Sequence, residues 1–243
     1  MLPNYRLFGF LSLYNLFLGL GVAALLLFLV FISKKYGMPR WKAFVAGVLL
    51  YAVGFVLMKV LYWVSTGFKS FGAGSSVRIY VWIPLFIWLF SKPLKYRWQD
   101  MCDMIGPGFI VSMFVMRFGC IFAGCCHGYP TDSWIGIYNA VVNRYVFPVQ
   151  IFEILTLLLI AVVLISRMIR QRYQTKGELY PLMLILYGST RFFWEFFRDN
   201  RKILLQISGM AFHALFACLV GIAWYLSVRE RNKATNSGRH NHK

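Results

Sequence analysis

Arg117 is the residue whose position points most directly to chemistry. It lies near the end of an apolar run that begins near Met104. An arginine near the middle of a bilayer costs about 2.5–3.5 kcal/mol, so it normally faces the protein interior and meets a partner or an anionic ligand. No acidic residue stands three or four positions away, so we expect a partner on another helix or a bound anion.

A second group of polar residues recurs at helical spacing in the run that ends near residue 198. Its members are Tyr187, Arg191, Glu195 and Arg198, separated by about one turn each. This spacing predicts a single polar stripe on one helix. The stripe is also compatible with an Arg191–Glu195 pair that only neutralises itself. The isolated Arg117 favours a shared site over that alternative.

Reactive side chains follow Arg117 closely: Cys120, Cys125, Cys126 and His127. Adjacent cysteines lack the C-x-x-C loop that lets two thiolates face one ion, so we predict no metal. Small, weakly polar residues packed beside Gly119 and Gly124 are the preferred interpretation. A covalent thiol intermediate on one of the last two cysteines stays open.

The composition identifies the class of protein. The chain has 243 residues, of which 59% are hydrophobic and only 14% charged, and its mean hydropathy is +0.61. Apolar residues fall in runs of roughly 20, the length that crosses a hydrocarbon core. The net charge of +18 is spread over short loops and forms no aromatic-interleaved platform, which argues against nucleic-acid binding.

We predict an all-α polytopic membrane protein with about seven transmembrane helices. The predicted spans are 9–33, 41–65, 71–91, 104–126, 148–168, 179–197 and 204–227. The third is the weakest, because its start is rich in glycine and serine and Pro84 interrupts the rest. No cleavable signal peptide is evident in the first run. We assign residues 1–232 to one membrane domain and residues 233–243 to a disordered basic tail.

Basic residues are concentrated in alternate loops and predict the orientation. They cluster in residues 34–42, 92–97, 167–176 and 229–243, whereas the opposite loops carry few. The positive-inside rule then places the amino terminus outside and the carboxyl terminus in the cytoplasm.

This orientation puts the embedded polar residues at a common depth. The residues in the outer half are Tyr14, Arg117, Gln150, Glu153, Arg191, Gln206 and His213. Polar groups that faced lipid there would be unsatisfied, so we predict an outward-facing polar cavity.

The same residues resemble a family, the prolipoprotein diacylglyceryl transferases. Its signature reads approximately R-x-G-N-F-x-N-G-E-x-x-G, and Arg117-Phe118-Gly119, Gly124 and Gly128 keep this frame. Collinear matches include Asp103 fourteen residues earlier, Gly128-Tyr129-Pro130-Thr131-Asp132, Pro148 through Glu153, and Tyr187 through Arg198. Tyr14 resembles an amino-terminal tyrosine of the family.

Departures from the family pattern accompany these matches. Cys120, Ala123 and Cys125 stand where the signature has Asn, Asn and Glu, and Phe147 replaces a histidine. The histidine of the family's S-F-H-G-G segment has no counterpart near residues 76–78.

The resemblance implies transfer of the diacylglyceryl group of phosphatidylglycerol to a cysteine of a prolipoprotein signal peptide, in the bacterial inner membrane and without a cofactor. The implied catalytic residues are Arg117, Arg191, Glu195 and Tyr14. We add His127 as a catalytic candidate, because a histidine could take the proton of the acceptor thiol. The implied substrate-binding residues are Tyr187, Arg198, Gln150, Gly119 and Gly124. Membrane lipids are further partners, and His213 is an alternative proton acceptor.

Two other functions stay open because of the departures. One is a related transferase that uses phosphatidylglycerol with a different acceptor. The other is a lipid-binding membrane protein without catalysis, which the embedded arginines disfavour.

Overall fold

The fold is a helical bundle with three short hairpins, seen in a computed structural model. It describes residues 6–7, 11–65, 67, 80–170, 176–199, 202–204 and 207–240. The helices are α1 Leu13–Ile32, α2 Arg40–Ser65, α3 Ile83–Leu94, α4 Trp98–Ala123, α5 Val149–Arg170, α6 Leu179–Glu195 and α7 Gly209–His240. A 3₁₀ turn, Ser33–Tyr36, follows α1.

The strands form antiparallel pairs between or before helices. β1 Arg6–Leu7 pairs with β2 Leu11–Ser12, β3 Ile137–Asn139 with β4 Arg144–Val146, and β5 Lys202–Leu204 with β6 Ile207–Ser208. The β3–β4 hairpin lies between α4 and α5 and closes over the end of α4.

The centre of the bundle is α4, which contacts α1, α3, α5 and α6. Every residue from 101 to 110 in its first half is buried. Gly106 lets α6 approach closely, since a Cβ there would lie 3.1 Å from the Cα of Tyr180. The Ser112 hydroxyl donates a 2.7 Å hydrogen bond to the carbonyl oxygen of Gly21 on α1.

Asp103 anchors the start of α6 to α4. Its side chain is buried and accepts hydrogen bonds from the backbone N–H groups of Gly177 at 2.6 Å and Leu179 at 2.8 Å. These donors precede or begin the helix and have no intrahelical acceptor. The carboxylate therefore acts as a cap supplied by another helix.

Five helices in the described part of the chain are long and apolar enough to cross a membrane. They correspond to the predicted spans 9–33, 41–65, 104–126, 148–168 and 204–227. The helix α3 has only 12 residues, and the start of the predicted span 71–91 lies outside the described residues. The helix α6 has 17 residues and carries Arg191 and Glu195.

Two boundaries differ from the prediction. Gly124 takes a left-handed conformation with φ 63°, which ends α4 before Cys125 and Cys126. Arg117 is consequently six residues from the end of its helix, about 9 Å. At the other end of the chain, α7 continues to His240, where a disordered tail from Lys233 was predicted.

Replacing Asp103 by asparagine tests the cap on α6. The amide puts a donor opposite a backbone N–H, so we expect a loss of about 1–3 kcal/mol in the free energy of unfolding. The measurement is thermal unfolding of the purified protein in detergent.

Asp100→Asn is the matched control. Asp100 is one turn earlier and pairs with Lys176 at 3.5 Å in a partly exposed ion pair, which is worth about 0–1 kcal/mol. Equal shifts in the two variants would show that the Asp103 cap does not stabilise the fold.

Candidate functional site

Glu153 on α5 is the centre of the polar cluster. Its Oε1 lies 2.6 Å from Nη1 of Arg191, and its Oε2 lies 2.6 Å from Nη2 of Arg198. The Nη1 atom of Arg117 lies 3.3 Å from the same Oε2. One carboxylate thus joins three guanidinium groups, and Arg117 has the partner on another helix that its position required.

Glu195 supplies the second carboxylate. Its Oε2 lies 2.8 Å from Nη2 of Arg191 and 4.0 Å from Nε of Arg198. Its Oε1 accepts a 2.9 Å hydrogen bond from the Ser208 hydroxyl. The predicted Arg191–Glu195 pair therefore exists, but it is part of a larger network.

We call these five residues the Glu153 cluster: Arg117, Glu153, Arg191, Glu195 and Arg198. Glu153, Arg191, Glu195 and Arg198 are each no more than 5% exposed. With ordinary ionisation the cluster holds three positive and two negative charges, a net excess of one cation. Buried charges of this kind need further compensation, so the cluster is suited to an anionic ligand.

A small cavity lies against the Glu153 cluster. Its lining residues are Arg117, Glu153, Thr156, Leu157, Tyr187, Thr190, Arg191 and Trp194. Three donors of lining side chains have no hydrogen-bond partner in the described part of the chain: the Tyr187 hydroxyl, Nε of Arg191 and Nε1 of Trp194. Buried donors are normally paired, so their convergence favours a ligand that accepts hydrogen bonds.

Gly119 and Tyr14 meet where α1 crosses α4. A Cβ on Gly119 would lie 3.2 Å from the carbonyl oxygen of Tyr14 and 3.1 Å from Cβ of Phe17. Tyr14 is 38% exposed and is not a lining residue of the cavity. The role of Gly119 in the structure is close helix packing.

Gly124 and Gln150 shape the turn after α4. The Asn139 side-chain amide donates a 2.9 Å hydrogen bond to the Gly124 carbonyl oxygen, and Gln150 Nε2 donates one of 2.8 Å to that of Cys125. A Cβ on Gly124 would lie 2.7 Å from Cγ2 of Val141. Gly124 thus forms the turn and Gln150 fixes its backbone. Neither of these two predicted substrate-binding residues lines the cavity.

His127 belongs to a backbone clamp that joins the turn to the end of α6. Its carbonyl oxygen accepts a hydrogen bond from the N–H of Asp199 at 3.2 Å. The next residue, Gly128, donates from its N–H to Phe147 at 3.0 Å, and a Cβ there would lie 2.7 Å from two carbonyl oxygens. On the other side of Arg198, the carbonyl oxygen of Phe197 accepts a 3.1 Å hydrogen bond from the N–H of Tyr129. The clamp therefore fixes the backbone both before and after Arg198.

The ring of His127 also has a defined contact. Its Nδ1 lies 3.1 Å from the carbonyl oxygen of Gly128. A carbonyl only accepts, so a hydrogen bond here puts the proton on Nδ1 and leaves Nε2 with a free lone pair. The imidazole is not among the lining groups of the cavity.

The structure brings together five of the predicted site residues. They are Arg117, Arg191, Glu195 and Arg198 of the Glu153 cluster, and Tyr187 beside them. Sequence reasoning placed Glu153 near the outer half but gave it no role, and it missed Thr156, Thr190 and Trp194. The available signal for Glu153 was an acid within an otherwise apolar run, which requires a cationic partner.

Comparison with known proteins agrees with the sequence pattern. A model of the prolipoprotein diacylglyceryl transferase family matches residues 9–228. The phosphatidylglycerol–prolipoprotein diacylglyceryl transferase 2 of Clostridium perfringens (strain 13 / Type A) is 28% identical over 229 residues, covering 87% of this chain and 89% of that protein. The transferase of Clostridium tetani (strain Massachusetts / E88) is 27% identical over 243 residues, covering 90% and 94%.

Replacing Glu153 by glutamine tests the bridging role of its carboxylate. The variant leaves three buried guanidinium groups with only Glu195, so we expect about 3–5 kcal/mol of destabilisation. Thermal unfolding in detergent measures the effect.

The matched control is Asp199→Asn. This change breaks the exposed pair between Arg144 and Asp199, whose side chains are 49% and 34% accessible, and should cost about 0–1 kcal/mol. A Glu153→Gln protein that unfolds at the wild-type temperature would contradict the bridging role.

Proposed function

Because this chain belongs to the prolipoprotein diacylglyceryl transferase family, we propose that it transfers the diacylglyceryl group of phosphatidylglycerol to a cysteine thiol of a prolipoprotein. The enzyme is a transferase, as are the relatives from the two Clostridium species by their names. The acceptor cysteine lies in the signal peptide of the prolipoprotein, and glycerol phosphate is released.

The observation that carries this proposal is the convergence of surplus positive charge and unpaired donors on one cavity. The Glu153 cluster has one cation more than it has anions, and three donors of lining side chains lack acceptors in the described residues. A phosphodiester supplies both the negative charge and the acceptor oxygens. Phosphatidylglycerol carries such a group.

The reaction is a displacement at carbon. The acceptor thiolate attacks the terminal glyceryl carbon, a C–S bond forms, and the C–O bond to the phosphate breaks. The bonding electrons leave with glycerol phosphate, whose developing charge needs stabilisation in a water-poor site. We assign this role to Arg117 and to Arg191, whose Nε has no acceptor among the described residues.

The two glutamates position these arginines. Glu153 and Glu195 each contact Arg191, at 2.6 Å and 2.8 Å, and so fix the plane of its guanidinium. Of the three arginines that contact Glu153, Arg117 has the longest contact, at 3.3 Å. It therefore loses the least ion-pair energy when its guanidinium turns toward a phosphate. Tyr187 adds a hydroxyl donor, and Arg198 holds the far side of Glu153.

The thiol of the acceptor cysteine must also lose its proton before it attacks. We propose His127 as the proton acceptor, supported by the free lone pair that a hydrogen bond from Nδ1 to the Gly128 carbonyl leaves on Nε2. Tyr14 is proposed to assist as a donor from α1. The alternative acceptor His213 has its Nδ1 2.6 Å from the carbonyl oxygen of Gly209 on the same helix.

We further propose that the five long helices, together with α3 and α6, form seven spans in the bacterial inner membrane. The amino terminus is outside and residues 1–232 form one domain. The concentration of basic residues in alternate loops supports this orientation. Membrane lipids contact the exposed apolar faces of the helices.

Replacing Arg117 or Arg191 by lysine should reduce transfer by about 10²-fold or more, because lysine keeps the charge but loses the planar pair of donors. Alanine should abolish it. The measurement is transfer of labelled diacylglyceryl from phosphatidylglycerol to a signal peptide, together with complementation of a strain depleted of its own transferase.

Arg144→Lys serves as control, because Arg144 is exposed and, within the described residues, forms its ion pair with Asp199, away from the cavity. Wild-type turnover in Arg117→Ala or Arg191→Ala would remove the phosphate-binding role. Failure of the unaltered chain to complement, with normal membrane insertion, would contradict the proposed reaction.

Reporter fusions test the topology. A fusion at Lys233, near the end of α7, should be cytoplasmic, and one at Trp134, in the segment before the β3–β4 hairpin, should be external. The reverse pattern would place the Glu153 cluster near the cytoplasmic surface and overturn the proposed access from outside.

A further inference from the structure

The turn after α4 gathers three cysteines into one group. The sulfur atoms of Cys120, Cys125 and Cys126 all lie within 4.8 Å of one another. Cys120 belongs to the last turn of α4, and the other two follow the end of the helix. All three are free thiols and half-buried.

The backbone is bent to bring the thiols together. Gly124 has φ 63°, and Cys126 has φ 60°. A left-handed conformation costs a residue with a side chain roughly 1–2 kcal/mol, which glycine avoids. Adjacent cysteines can thus face Cys120 without a C-x-x-C loop, so the spacing argument against a shared ligand does not hold for this turn.

Other elements hold the turn in this shape. Asn139 of β3 donates to the Gly124 carbonyl oxygen at 2.9 Å, and Gln150 of α5 donates to that of Cys125 at 2.8 Å. Both side chains are fully buried. The three thiols therefore sit on a supported backbone and not on a free loop.

The contacts of the sulfurs themselves are weak. Nη1 of Arg117 is 3.9 Å from the Cys120 sulfur, and the Cys125 sulfur is 3.8 Å from the Cys120 carbonyl oxygen. Three thiolates at about 2.3 Å from one metal ion lie about 4 Å from each other. Because the sulfurs are no more than 4.8 Å apart, the group needs at most a small contraction to reach that geometry.

We propose that Cys120, Cys125 and Cys126 bind one thiophilic metal ion, Zn²⁺ or Cu⁺, through three thiolates. Soft thiolate ligands select these ions, and three sulfurs leave Zn²⁺ with an open fourth position or satisfy Cu⁺ in a trigonal arrangement. The thiol protons go to solvent as the bonds form. The resulting complex is negatively charged, and the Arg117 guanidinium beside Cys120 stabilises it.

The test is metal titration of the full-length protein in detergent, with its thiols reduced and neither phosphatidylglycerol nor acceptor present. Zn²⁺ is titrated against a chromogenic chelator, and Cu⁺ against a copper(I) chelator. Co²⁺ serves as a spectroscopic probe, because sulfur ligation produces charge-transfer absorption. We expect one equivalent bound, and the tighter of the two titrations identifies the ion.

Each of Cys120→Ser, Cys125→Ser and Cys126→Ser should weaken binding by at least about 10–100-fold. Cys218→Ser is the matched control, because Cys218 lies on α7 outside the group, and it should bind as the wild type does. Cys126→Gly adds a variant that keeps the fold, since glycine relieves the positive φ. It should unfold at an equal or higher temperature without metal and still lose binding.

Three results would overturn the proposal. The first would be that the reduced protein binds none of the ions. The second would be that the double variant Cys120→Ser/Cys126→Ser still binds the metal. The third is a disulfide between two of the three residues, found by peptide mapping, in protein that binds no metal once reduced. The lipid-free titration separates these outcomes from any failure of the transferase function.

Discussion

The structure depends on one buried carboxylate. Glu153 contacts arginines that arrive from α4, from α6 and from the segment after α6, and Arg117, Arg191 and Arg198 each approach within 3.3 Å. Burying an ion costs several kcal/mol, and an arginine without a partner in a bilayer is equally unfavourable. These contacts therefore favour the arrangement of α4 and α6 that brings the three arginines to α5.

The cluster also shows why stability alone does not account for its composition. A self-sufficient network would match its charges, but this one holds three arginines and two glutamates, and the side chains beside it leave donors without acceptors. Unpaired buried charges and donors are unfavourable, and an anion of the kind we propose would compensate them. The backbone clamp around Gly128 and the cap on α6 supply the rigidity that maintains it. The surplus cation is thus the feature of the cluster on which the proposed binding of an anion rests.

Sequence reasoning recovered the parts of this site that follow from local rules. The expense of a membrane arginine identified Arg117, and helical spacing identified the stripe that includes Arg191 and Glu195. It could not select Glu153 as the shared partner, because that contact depends on how α4, α5 and α6 rotate against each other. The end of α4 was placed three residues too late, since the left-handed conformation of Gly124 is not visible in hydropathy. The structural contributions of Gln150 and Gly124 were not predicted for a related reason. Gln150 donates to a backbone carbonyl of the turn after α4, and Gly124 forms that turn, whose path the sequence does not reveal.

Arg117 links the two polar groups at this end of α4. Its Nη1 atom is 3.3 Å from Oε2 of Glu153 and 3.9 Å from the sulfur of Cys120. A change of charge at the cysteines must therefore alter the strength of the ion pair between Arg117 and Glu153, since Coulomb interactions over these distances are strong in a dry interior. Cys125 stands where the family signature has a glutamate. A thiolate complex at the turn would return negative charge to that region, whereas neutral thiols leave Arg117 more dependent on Glu153 and on the anion that enters the cavity.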